Sequence, residues 1–118
     1  MAEPTIVQIF GTGAARLANG DTVSTPGLFI PDSSLTSTGL TTPTTATAEG
    51  HLTAIVKKAE SYLTQSNFDS NIDQSLIVGT GYPSFVNRGT DNTQYRVDQK
   101  TLSLAKIDTG STINPGDY

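Results

Sequence analysis

Only one segment of the chain sustains a helical alternation of apolar and polar positions: Ala48 to Ser66, AEGHLTAIVKKAESYLTQS. Counting from Leu52, the residues Ile55, Val56, Ala59, Tyr62 and Leu63 recur at the spacing that gathers them into one stripe of an α-helix. Lys57, Ser61 and Thr64 fall on the opposite side. Thr45 or Thr47 is placed to cap the N-terminus, because a threonine oxygen accepts a bond from an otherwise unpaired amide. Glu49 then lies in the first turn, where the helix dipole favours negative charge. Gly50 weakens that turn by about 1 kcal/mol relative to alanine. A one-sided helix of this length is not stable alone in water. It needs an apolar surface, and the strand-like segments on either side are the candidates.

Those segments follow in order. Thr5 to Phe10, TIVQIF, is β-branched and predicts a strand, broken by Gly11-Thr12-Gly13. Asn19-Gly20-Asp21 predicts a turn, and Gly27 to Ile30 is a brief apolar run closed by Pro31. Residues 32–47, DSSLTSTGLTTPTTAT, show no period and read as an extended connector with Leu35 and Leu40 as isolated anchors. After the helix (48–66), Leu76-Ile77-Val78 predicts a buried strand ended by Gly79-Thr80-Gly81. Phe85-Val86 opens a second apolar patch, and Arg88 to Asn92 makes a turn into Gln94 to Ile107, the longest strand signal. Within it Tyr95 and Val97 share one parity, Leu102 and Leu104 the other. One strand would need a bulge near Asp98 to Lys100; two strands would need a tight turn there. Residues 108–118 read as a polar C-terminal arm. The expected fold is α+β in a single domain, 1–118: one amphipathic helix packed on a mainly antiparallel β-sheet, with an extended connector and a C-terminal arm.

Composition narrows the function. The 118 residues are 35% apolar and only 15% charged, a polar but weakly charged surface that suits packing against neighbours and equally suits a secreted or loop-rich domain. The net charge is −4 and the basic residues are scattered, which disfavours nucleic acid as a partner. The absence of cysteine excludes disulfides and thiolate chemistry. MAEPTIVQIF has no secretory-signal pattern, and no apolar run approaches a membrane span. The expectation is a soluble chain made inside the cell.

Candidate chemistry is thin. Ile6 to Ala14, IVQIFGTGA, imitates the entry to a dinucleotide site, with Asp32 where a ribose-binding acid would stand. Arg16 occupies the third glycine position, however, and Asn19-Gly20 interrupts the helix that should follow. Asp69, Asn71 and Asp73 have the spacing of calcium-loop ligands, but Gln74 replaces the glycine and Thr80 the bidentate glutamate. His51, the only histidine, has no nucleophile or carboxylate motif around it. The four tyrosines and four phenylalanines are spread evenly and read as core and edge residues. The expectation is therefore no catalytic residue, no metal, no cofactor and no small-molecule substrate.

Several patches in order carry a resemblance: VQIFGTGA at Val7 to Ala14, Gly39-Leu40-Thr41 before the Thr47-Ala48-Glu49 helix start, Asp73-Gln74-Ser75, Tyr95-Arg96-Val97, and LSLAKIDTGSTINPGDY at Leu102 to Tyr118. Together they resemble the small virion structural proteins of tailed phages that infect cyanobacteria. Gly50 and the Thr-rich filler before the helix depart from that pattern, and no functional residue transfers. The resemblance implies a virion subunit, assembled in the host cytoplasm and working in symmetric copies beside other virion proteins. A capsid decoration or cement protein is the first reading; a tail, neck or baseplate accessory for fibre attachment is the second. A host-surface polysaccharide-binding module is the alternative of another class. The contact residues expected on the connector and arm are Leu35, Leu40, Ile107, Ile113 and Tyr118.

Overall fold

The computed structural model describes residues 3–10, 12–108 and 110–118. Gly11 of the expected glycine break and Thr109 of the expected arm lie outside the described residues. The fold is α+β, with short helices in the first half and antiparallel strands in the second. The chain divides into two compact units, Met1–Lys58 and Ala59–Tyr118.

The first unit is helical where strand and coil were expected. Helix α1 spans Ile6–Phe10 in place of the predicted strand. A short apolar run is ambiguous in period, and here Ile6 and Ile9, one helical turn apart, are the half-buried pair, while Val7 is half exposed. The connector is not extended either. Helix α2 takes Asp32–Leu35, a 3-10 turn Thr36–Thr38, and another Pro43–Thr45. Its hydroxyls explain why. Thr36, Thr38 and Thr45 donate to the carbonyls of Ser33, Leu35 and Thr42, each three residues back, at 3.3, 2.6 and 3.3 Å. Such local bonds fold a threonine-rich stretch onto itself without any apolar period.

Helix α3, Ala48–Glu60, starts where Thr47 caps it: the Thr47 hydroxyl accepts from the Gly50 amide at 3.0 Å. Its buried side overlaps the predicted stripe in part, with Ile55, Val56 and Ala59 half-buried. Ala48 and Ala54 are buried while Leu52 is 42% exposed. The connector occupies the side assigned to solvent: Lys57 Nζ donates to the Thr38 carbonyl at 2.8 Å, and Leu40 Cδ1 lies 3.7 Å from where a Gly50 Cβ would stand. The helix also ends at Glu60 instead of Ser66. Thr64 is extended and caps a separate helix α4, Gln65–Ser70, by accepting from the Asn67 amide at 3.1 Å. A second strong cap inside the period ended the first helix early.

The second unit is built on a long ribbon. Strands β1 (Leu76–Thr80) and β4 (Lys100–Leu104) pair antiparallel, as do β2 (Ser84–Arg88) and β3 (Thr93–Val97). The predicted turn joins β2 to β3, with Gly89 and Asn92 both at positive φ. Gly89 needs no side chain there, and asparagine tolerates the left-handed region. The long strand is divided in two, and β1/β4 and β2/β3 are successive parts of one ribbon. Gly81 donates to Gln99 at 2.8 Å, and the next pair is Ser84 with Val97. Tyr82 and Pro83 therefore stand opposite Asp98 alone. A bulge does fall in this stretch, but its extra residue is on the partner strand, so Tyr95 and Val97 stay on the face opposite to Leu102 and Leu104. A Cβ at Gly81 would lie 2.6 Å from Gln99 Oε1, so the glutamine side chain would have to swing aside to admit one.

The outer edge of β1 is closed. Val78 donates to the Leu63 carbonyl at 2.9 Å, and Gln74 Nε2 bridges the carbonyls of Thr64 (3.2 Å) and Leu76 (2.9 Å). Helix α4 also lies against β1. Lys100 Nζ holds Glu60, the last residue of α3, at 2.6 Å.

Candidate functional site

Arg16, which occupies the third glycine position of the dinucleotide imitation, and Asp32, which stands where its ribose-binding acid would, meet in the first unit together with the only histidine. Arg16 forms an ion pair with Asp32 at the start of α2, and its Nη1 lies 2.9 Å from His51 Nε2. A guanidinium can only donate, so Nε2 accepts and the ring proton is on Nδ1, which faces the Thr47 carbonyl at 2.8 Å. Both imidazole nitrogens are thereby engaged. Arg16 is three-quarters covered. The cluster fastens a loop residue to the first turns of two helices, and leaves no free nitrogen to exchange a proton with a substrate. No strand leads into this segment, since α1 replaces it.

The calcium-like triplet is used internally. Asp69 Oδ1 accepts from Gln65 Nε2 at 2.8 Å, and Asn71 Oδ1 accepts from the Asp73 amide at 3.0 Å. Among the described residues no three His, Cys, Asp or Glu side chains converge as a metal site would require.

Of the contact residues read from sequence, Leu35 is buried at 4% exposure, which leaves almost none of its surface for an outside partner. Leu40 is half-buried against α3. Ile107 and Ile113 are 86% and 64% exposed, and Tyr118 is half-buried. The arm folds back on itself: Lys106 Nζ donates to the Thr112 carbonyl at 2.5 Å and pairs with Asp117 at 3.4 Å.

The feature that the sequence reading missed is the ribbon's exposure. Among the described residues, the buried apolar side chains are Leu35, Ala48 and Ala54, all in the first unit; Gln74 is the buried residue of the second. Phe85, Val86, Tyr95, Val97, Leu102 and Leu104, taken as core strands, are all exposed, and the expected core aromatics Phe10, Phe29, Tyr62 and Tyr82 are exposed as well. Arg88 covers the Tyr95 ring from 5.2 Å. A two-stranded ribbon is marginal in water without further strands or a packed layer. The signal available in the sequence was the switch of apolar parity between Tyr95-Val97 and Leu102-Leu104, which puts apolar groups on both faces.

Among the described residues no helix is long and apolar enough to cross a membrane. No protein-family model, curated protein or solved structure matches the chain.

Proposed function

We propose that the chain is a non-enzymatic structural subunit of a tailed-phage virion, a capsid decoration or cement protein present in many symmetric copies. The observation that carries the subunit reading is the second unit, in which no described apolar side chain is fully buried and every residue of β2, β3 and β4 is exposed. Such a surface is stable once neighbours cover it, and the low charge lowers the cost of covering it. The Arg16, Asp32 and His51 cluster fits this role, because its side chains are bonded to one another and join separate segments of the first unit. The resemblance to cyanophage virion proteins supplies the particle, with the major capsid protein and further copies of the chain as partners. The test is to add the purified chain to expanded phage heads that lack it. Saturable binding in high copy, with increased resistance of the heads to heat or chelator, is the expected result. Recovery with tails after heads are disrupted would assign the chain to the tail; a monomer that binds no virion component would overturn the proposal.

A further inference from the structure

The ribbon's two long edges are treated differently. That of β1 is closed by Leu63 and Gln74, whereas among the described residues nothing pairs with the outer edge of β3 and β4. This edge runs from Thr93 to Leu104 without a proline, and every residue along it is exposed. Natural edges of this length are normally blocked. The β2 edge, by contrast, starts at Pro83, which has no donor to offer.

The backbone says which residues a new strand would meet. Ala105 donates to Ser75 at 2.7 Å and Gly81 to Gln99 at 2.8 Å, so the odd-numbered residues of this stretch direct their polar groups towards β1. In an antiparallel ladder the direction alternates. Lys100, Leu102 and Leu104 therefore present their amides and carbonyls outward. We infer, on the basis of the subunit reading above, that this edge pairs antiparallel with the same edge of a second copy, about a two-fold axis at Leu102, giving a four-stranded sheet β1-β4-β4-β1.

Register and charge select this axis. An axis at Lys100 would set lysine against lysine, which is unfavourable between directly opposed residues. An axis at Leu104 would pair mostly residues beyond the strand. An axis at Leu102 opposes Leu102 to itself and Lys100 to Leu104. Continued outward, the same register brings Asp98 opposite Lys106 and Arg96 opposite Asp108, opposite charges each time, with Arg96–Asp98 and Lys106–Asp117 paired inside each chain beforehand. It also joins the Leu76–Leu104 and Val78–Leu102 cross-strand pairs of both copies into one apolar face. The occupant that matches the edge in hydrogen bonding, charge and apolar area is thus the chain itself, an isologous contact.

The natural chain has no cysteine, so a single introduced one reports the geometry. Directly bonded residues of antiparallel strands stand about 5.5 Å apart at Cα, within the disulfide range of roughly 4.4–6.8 Å. Leu102→Cys, at a half-exposed position, is expected to form a disulfide dimer under mild oxidation at least tenfold faster than Leu104→Cys. In the proposed register, two copies of residue 104 lie roughly 13 Å or more apart. A mixture of Lys100→Cys and Leu104→Cys chains is expected to give the mixed disulfide. Sedimentation of the unmodified chain is measured in parallel. If it sediments as a multimer but Leu102→Cys cross-links no faster than Leu104→Cys, the edge pairing is overturned and the subunit reading stands. If it is a monomer at every concentration and no variant cross-links, both fall.

Discussion

The guanidinium of Arg16 donates to Nε2 of His51 across 2.9 Å while holding the carboxylate of Asp32. Three segments distant in sequence are thereby joined by one side chain. Arg16→Met removes both contacts at once. Because the carboxylate is nearly half exposed, the ion pair itself contributes little, and the expected loss is about 1–2 kcal/mol, mostly from the hydrogen bond to the imidazole. Denaturant melts of Arg16→Met, His51→Gln and the double variant test this. The two losses should fall short of additivity by about 0.5–1 kcal/mol, as for residues in direct contact. Simple additivity would show that the contact is energetically silent.

Leu35 and the two exposed isoleucines should separate stability from association. Leu35 is buried within the first unit, and Leu35→Ala is expected to cost about 2–4 kcal/mol of unfolding free energy. Ile107→Ser and Ile113→Ser, at 86% and 64% exposure, should leave the melt within about 0.5 kcal/mol of the parent. They should instead weaken binding to phage heads or to further copies. A stable Leu35→Ala chain that had lost only its binding would reverse this assignment.

Gln74 is the buried polar residue of the second unit, and its two donors serve the carbonyls of Thr64 and Leu76, whereas its Oε1 is buried without a partner. Gln74→Leu removes the two bonds together with the orphaned acceptor, so part of the loss is offset. The expected cost is about 1–2 kcal/mol, with faster hydrogen exchange at the Val78 amide as the local sign. Gln74→Glu sets a carboxylate against two carbonyls and should be the more damaging of the two. Equal effects would mean that the side chain acts by volume alone.

The sequence made the ribbon legible because its strands, its turn at Gly89 to Asn92 and its parity conflict are all local features. Which strand carried the extra residue was not legible, since Tyr82-Pro83 and Asp98 come into register only through pairing. The first unit was misread for a different reason. Its order comes from threonine hydroxyls bonding three residues back and from Arg16 reaching Asp32 and His51. Neither leaves a hydrophobic period. The early end of α3 had a visible cause in Thr64, a capping residue inside the apolar repeat. The exposure of the ribbon lies beyond any reading of strand propensity: a strand destined for a neighbour has the same composition as one destined for its own core.

Gly50 is the last case where a local rule meets the tertiary structure. In an isolated helix, alanine at this position would gain about 1 kcal/mol. Here a Cβ would stand 3.3 Å from Thr47 Oγ1 and 3.7 Å from Leu40 Cδ1. The leucine contact is ordinary, but the threonine oxygen is the one that caps α3 through the Gly50 amide at 3.0 Å. To make room it must move by a few tenths of an ångström and weaken a cap of about 1 kcal/mol. The two effects nearly cancel, so Gly50→Ala should change stability by less than about 0.5 kcal/mol. With the cap and its γ-oxygen both removed in Thr47→Ala, the cost of moving it disappears, and the same Gly50→Ala change should recover most of its intrinsic gain. Thermal melts of the four chains decide the point: a full gain in the Thr47 background would show that helix and cap do not compete.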